Sequence, residues 1–209
     1  MKWGAVMSEQ SGEKRLIEAC QRGDRDAFHE LFDAHKDRVW TIAVRFTGDE
    51  SAARDVTQQV FLKLFTSISG FRHEANFKTW LYRLVANECM DELRKRRRLI
   101  SFDFFRPAFQ DDHDDDHVEA LMKDRRQEPL QEAGLARLEI SGEVLAAVMQ
   151  LKPKLRMAIL LKYYEDLSYE QMAEALGCSM GTVASRLNRG HKALARRLAH
   201  LRGELNAAE

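Results

Sequence analysis

Apolar residues in the first half of the chain recur at the 3.6-residue helical period, and no stretch shows the strict alternation of a half-buried strand. Phe28, Leu31, Phe32, Val39, Ile42, Ala43 and Phe46 mark one predicted helix, with Asp24 placed to cap its start and Gly48 to end it. A second is predicted from Asp49 or Ser51 through Ala52, Val56, Val60, Leu64 and Ile68, interrupted at Gly70. The polar stretch Phe71-Arg72-His73-Glu74-Ala75-Asn76 follows. A third helix then carries Leu81, Leu84, Val85, Cys89 and Leu93 and runs into Arg94-Lys95-Arg96-Arg97-Arg98.

The last block is the most legible. Val144, Leu145 and Val148 begin a helix that must stop before Pro153, and Leu155, Ala158, Ile159, Leu160 and Leu161 form the next. Ser168-Tyr169-Glu170-Gln171 is a capping box, with Ser at the N-cap and Gln three residues on. It opens a short helix through Met172, Ala173 and Leu176, ended by Gly177. Ser179 then caps a final helix with Val183, Leu187, Leu194, Leu198 and Leu201 on one face.

Between the blocks, Pro107 and Pro129 bracket Asp111-Asp112-His113-Asp114-Asp115-Asp116-His117. Like charges at that density repel and favour a solvated, extended chain, with a helical portion expected near Val118 to Arg126. The pattern therefore predicts an all-α fold: two small helical domains joined by a flexible acidic linker. The expected boundaries are 1–23 for an N-terminal arm and first helix, 24–98 for a helical bundle, 99–137 for the linker and 138–209 for a helix-turn-helix domain.

Composition narrows the function. Hydrophobic residues make up 44% of the chain and charged residues 32%, enough for packed cores in a soluble protein. The formal net charge of zero excludes a simple basic coat for nucleic acid, although charge is strongly segregated along the chain. Cys20, Cys89 and Cys178 are scattered and form no CxxC pair, which reads as reduced thiols in a cytoplasmic protein. No run approaches the roughly 20 apolar residues of a membrane span, so no direct membrane insertion is expected. Met1 to Met7 lacks the apolar core of a signal peptide, and either methionine can be the start.

The histidines pair with no nucleophile or metal spacing, and there is no Gly-rich phosphate loop. The expectation is no catalytic residue, no cofactor and no metal site: not an enzyme. Asp111 to His117 does not alter this, because adjacent side chains on an extended chain do not preorganise a coordination sphere.

The two short helices around Gly177-Cys178-Ser179-Met180 have the size and turn chemistry of a helix-turn-helix. With the apolar stripe turned inward, Thr182, Ser185, Arg186, Arg189 and Lys192 share the outer face of the second helix. Arginine suits guanine edges or phosphate, and Ser and Thr suit phosphate oxygens. Small Gly181 and Ala184 permit close approach to a groove. A merely solvated basic helix is the competing reading; the preceding capped helix and tight turn favour DNA.

The segment Leu167 to Gly177 followed by Gly181-Thr182-Val183-Ala184-Ser185-Arg186-Leu187 closely resembles region 4 of extracytoplasmic-function (ECF) sigma factors of the sigma-70 family. Asp55-Val56-Thr57-Gln58-Gln59-Val60-Phe61 looks like their region 2.2. Phe77-Lys78-Thr79-Trp80-Leu81-Tyr82-Arg83-Leu84-Val85-Ala86-Asn87 looks like regions 2.3 and 2.4. The resemblance implies a subunit that binds core RNA polymerase, through its beta and beta-prime subunits, and brings it to promoter DNA. It also implies control by an anti-sigma factor and an acidic linker that threads the basic cleft and RNA exit channel of the polymerase.

On this resemblance, the polar patch formed by Asp55, Gln58 and Gln59 at i, i+3 and i+4 docks on the coiled coil of the largest polymerase subunit. The loop residues Arg72, His73, Asn76 and Lys78 accept a flipped base of the −10 element, with Arg83 and Asn87 lining the surface and Tyr82 stacking. Trp80 is left open between core and DNA, and Arg94 to Arg98 would engage phosphates. Thr182, Ser185, Arg186, Arg189 and Lys192 read the −35 element. Ala184 and Asn188 depart from the pattern of many relatives, which leaves the exact −35 sequence open. The alternative is a stand-alone helix-turn-helix regulator, but no α/β ligand-binding or phosphoacceptor domain is apparent.

Overall fold

A computed structural model describes the backbone of residues 3–72, 76–103 and 135–200, and the side chains of 12–72, 76–98 and 142–200. Within these residues the regular elements are all helical. They are α1 (Trp3–Gln21), α2 (Arg25–Thr47), α3 (Glu50–Ser67), a 3-10 turn (Ile68–Gly70), α4 (Phe77–Asp103), α5 (Leu135–Met149), α6 (Pro153–Tyr163), α7 (Tyr169–Ala175) and α8 (Met180–Arg197). They fall into two compact units, the first built on α1 to α3 with much of α4, the second on α5, α6 and α8 with most of α7. The acidic run and the helical portion expected near Val118 to Arg126 lie outside the described residues. No described helix is long and apolar enough to cross a membrane.

In the first unit, punctuation residues place each helix end. Gly23, at φ 86°, closes α1, letting the Asp24 amide reach Ala19 O at 3.2 Å and its own amide reach Cys20 O at 3.0 Å. Asp24 Oδ1 then accepts from the amides of Asp26 and Ala27, capping α2. Gly48, at φ 66°, ends α2, and Asp49 Oδ1 caps α3 by accepting from the Ala52 amide at 2.8 Å. Each such cap is worth about 1 kcal/mol.

The core of this unit is the inner stripe of α2 (Leu31, Val39, Ile42, Ala43, Phe46) against that of α3 (Ala52, Val56, Val60, Leu64) and of α4 (Leu81, Val85, Cys89). Burying each large aliphatic or aromatic side chain contributes roughly 1.5–3 kcal/mol. Phe28 and Phe32 do not join it. They sit one position beyond Ala27 and Leu31, about 100° round the helix, and are half-buried. Cys20 and Cys89 are buried free thiols, and burial pushes the Cys20 thiol up. Lys63 of α3 and the buried Glu88 of α4 form an ion pair that ties the two helices.

His35 fills the inner stripe between Leu31 and Val39, 6% exposed and tilted against the Phe77 ring at 5.4 Å. Burial, reinforced by the positive charges of Lys78 and Arg38, pushes its pKa down to about 4. Glu13 Oε1, at 3.9 Å, is beyond hydrogen-bonding distance and does not offset this. The unfolded chain therefore takes up a proton at higher pH than the folded one. The stabilisation from a neutral His35 is complete above about pH 6.5 and is lost as pH falls towards 4, by about 3 kcal/mol in total. Urea midpoints between pH 5 and 6.5, where few carboxylates titrate, are expected to slope downward with acid in the wild-type chain and to lose that component in His35→Phe.

The second unit is organised by α6. Pro153 stands in its first turn, where a missing amide costs nothing. Arg156 is 1% exposed, and its guanidinium donates to Met149 O and, at 3.1 Å, to Leu151 O, fastening the end of α5. Met157, Ala158, Leu160 and Leu161 of the same helix are buried too. Against α8, the contact is close enough that a Cβ on Gly190 would lie 3.0 Å from Ile159 Cγ1, so the helices meet there at glycine.

Candidate functional site

The helix-turn-helix is built from its caps. Ser168 Oγ accepts from the Gln171 amide at 3.2 Å while Gln171 Oε1 accepts from the Ser168 amide at 2.9 Å, the reciprocal pair expected of a capping box. The Ser168 contact also draws the Glu170 carboxyl below its ordinary range. Gly177, at φ 58°, turns the chain, with its amide on Glu174 O and that of Cys178 on Ala173 O. Ser179 Oγ accepts from the Thr182 amide at 3.2 Å and opens α8. Val183, Leu187 and Gly190 face inward.

That orientation sets the outer face. Ser185, Arg189 and Lys192 are exposed, and Thr182 and Arg186 are half-buried at its edge. Thr182 is tied down: its hydroxyl lies 3.0 Å from Ser179 Oγ. Arg186 reaches back across the turn, Nη1 donating to Cys178 Sγ at 3.6 Å, a contact no spacing rule would have suggested. Arg189 Nε donates to Ser185 O, along its own helix. Ala184 and Asn188 are also exposed, so the outer face of α8 is polar and basic around one small apolar residue.

In the first unit, Asp55, Gln58 and Gln59 are all exposed on α3, opposite the buried Val56 and Val60. Beside them lies an apolar groove of about 520 Å³ between α2 and α3, lined by Phe28, Phe32, Trp40, Phe61, Leu62 and Phe65, with Gln58 at its rim. Its walls are aromatic pairs: Phe28 against Phe65 at 4.9 Å and Phe32 against Phe61 at 4.5 Å. Leu62 is 49% exposed and Phe65 56%. Sequence reasoning missed this groove. The available signal was that Leu62 and Phe65 stand off the inner stripe of α3.

The −10 set divides. Arg72, Asn76, Lys78, Arg83 and Asn87 are exposed, the last two one turn apart on α4. His73 lies outside the described residues. Asn76 has a structural task as well, since its Oδ1 accepts from the Lys78 amide at 2.9 Å and starts α4. Tyr82 is a correction: at 1% exposure it packs in the core beside Leu81 and Val85 and offers no stacking face. Helical phase decides this, because Tyr82 falls on the inner side of α4 with Val85 and Cys89. Trp80 is half-buried in an aromatic cluster with Phe71, at 5.1 Å, and Phe77, at 6.0 Å.

These features define an all-helical protein, within the described residues, of two units: one a helix-turn-helix with a basic outer face, the other bearing an exposed polar patch beside an apolar groove. Residues 31–99 match the family described as Sigma-70 region 2, and residues 141–194 that described as Sigma-70, region 4. The chain belongs to the ECF RNA polymerase sigma factors. It is 30% identical over 191 residues to the ECF RNA polymerase sigma factor SigW of Bacillus subtilis, covering 90% of this chain and 97% of that one. It is 34% identical over 190 residues to the RNA polymerase sigma-H factor of Pseudomonas aeruginosa, covering 90% and 94%.

Among solved structures, the fold is similar to the sigma factor RpoE of Bartonella quintana, solved with the anti-sigma factor NepR. The TM-score is 0.62 at 23% identity, covering 82% of this chain and 96% of that one. CnrH, solved with the cytosolic domain of CnrY, gives 0.61 at 23% identity, covering 88% and 96%. The chain is therefore a transcription initiation subunit that binds core RNA polymerase and promoter DNA, not an enzyme and not a stand-alone regulator.

Proposed function

We propose a division of labour among named residues. Asp55, Gln58 and Gln59, with the neighbouring aromatic groove, dock on core polymerase. Arg72, Asn76, Lys78, Arg83 and Asn87 hold the opened −10 strand, a role the reading extends to His73, and Arg94 to Arg98 engage phosphates. Ser185, Arg186, Arg189 and Lys192 read the −35 duplex, with Thr182 closing the N-terminal end of that face. The boundaries follow the same division: 24–98 for the polymerase and −10 functions, 99–137 as linker and 138–209 for −35 reading. The observation that carries it is segregation: every polar or charged side chain in these sets that the structure describes lies on an outer helical face or loop, while the opposite faces build the two cores.

An anti-sigma factor completes the reading. A regulator that covered the groove beside Asp55 would exclude the polymerase from the same apolar surface. A polymerase subunit of this kind works in the cytoplasm, beside the chromosome. The test is reconstitution: the purified chain added to core polymerase is expected to produce new sequence-specific starts, and a failure to do so would overturn the proposal.

Within that assay, Arg186→Ala is expected to weaken −35 duplex binding about 10- to 100-fold, the scale of one good base-edge pair. Arg189→Ala, if it serves phosphate, is expected to weaken all sequences alike and flatten the salt dependence. Filter binding to wild-type and −35-substituted promoters separates the two.

A further inference from the structure

Gln21 stands at the last position of α1, far in sequence from the −10 residues described above. Its side-chain amide nevertheless spends both hydrogens on the segment that leads into the −10 surface. Nε2 donates to Ile68 O at 3.0 Å and to Phe71 O at 2.7 Å, across 47 and 50 residues of sequence. Ile68 O also accepts from the Phe71 amide at 3.1 Å, so the carboxamide completes a closed turn. The elements it joins are packed in the core. Ile17 and Cys20 of α1 are buried, as are Ile68 and Phe71, and the Phe71 ring lies against Phe77 and Trp80.

The next residue is Arg72, exposed at the start of the loop. The direction in which Arg72 leaves the protein is set by the peptide that joins it to Phe71, and Phe71 O is the carbonyl of that peptide. We infer that Gln21 is a positioning residue for capture of the opened −10 strand: it fixes the Phe71–Arg72 peptide so that Arg72 is presented to DNA in one orientation. This rests on the reading of Arg72 as a −10 contact. The chemistry requires a donor of two hydrogen bonds at a fixed fork. Glutamate at neutral pH can only accept, and leucine has the size but no donor.

The test uses holoenzyme assembled from core polymerase and full-length chain, with a fluorescent single-stranded oligonucleotide carrying the −10 non-template sequence. Gln21→Leu and Gln21→Glu are each expected to weaken that binding about 5- to 10-fold, as the loss of one pre-set polar contact would. Affinity for core polymerase and −35 duplex binding are expected to stay near wild type, and the melting midpoint to fall only slightly, because the contact is part-buried and Ile68 O keeps the Phe71 amide. In an Arg72→Ala background, Gln21→Leu is expected to cost little more, because the two act through one contact.

Additive losses would overturn the inference, as would equal losses in core affinity and melting, which mark Gln21 as merely structural. If Arg72→Ala leaves strand binding unchanged, the assignment of Arg72 itself fails. If Arg72→Ala weakens it and Gln21→Leu does not, only the positioning role fails.

Discussion

Replacing Asp55 and Gln59 together by alanine is expected to weaken binding to core RNA polymerase about 100-fold or more, with no change in the melting of the first unit. Both side chains are exposed on α3, and the residues that hold the helix, Val56, Val60 and Leu64, are untouched. Alanine also keeps helix propensity high, so the substitution subtracts contacts rather than structure. The size of the effect follows from what lies next to the patch. Polar groups at the rim of an interface are individually weak, whereas those bordering a desolvated aromatic centre are strong. Gln58 lines the groove formed by Phe28, Phe32, Phe61 and Phe65, which supplies such a centre. Phe65→Ala, at a position 56% exposed in the free chain, is therefore expected to weaken docking while costing the isolated protein little stability. Competition binding with labelled chain and core polymerase checks both. Unchanged affinity in the double variant would place the docking face elsewhere.

What the sequence made legible, and what it did not, divides along physical lines. Helix ends were readable because their causes are local: Asp24, Asp49, Ser168, Gly177 and Ser179 each act within five residues of themselves. The outer face of α8 was readable because a single strong apolar stripe fixes its rotation. Resolution failed wherever a helix has partners on more than one side. Period alone did not separate Phe28 and Phe32 from the stripe one position away, and the family resemblance gave Tyr82 a stacking role although helical phase carries it inward with Val85 and Cys89. His35 went unassigned because a polar residue in an apolar stripe declares itself only through burial. Contacts set by distant segments, such as Gln21 with Phe71 or Arg156 with Leu151, follow from packing between helices and leave no periodic trace.

Arg156 carries the other large expected effect. Arg156→Ala is expected to destabilise the second unit by about 3–5 kcal/mol, which is on the order of the whole stability of a small domain. Two losses combine. The carbonyls of Met149 and Leu151 lose the guanidinium hydrogen bonds that satisfy them at the end of α5, at about 1–3 kcal/mol for a buried acceptor left unpaired. The second is the space left by a side chain only 1% exposed that reaches the end of α5 from the first turn of α6. Because α6 is the element against which α8 packs at Gly190, the recognition helix loses its support when α6 loosens. Duplex binding at the −35 element is expected to vanish near physiological temperature, together with the circular-dichroism signal of the second unit. Polymerase docking through Asp55 and Gln59 is expected to persist. Arg156→Lys retains a charge and a point donor but not the planar fork, so an intermediate loss is expected. The contrast with Arg186→Ala is diagnostic: that variant keeps its helicity and loses only recognition. Wild-type melting and full −35 binding in Arg156→Ala would show that the end of α5 is held by other contacts.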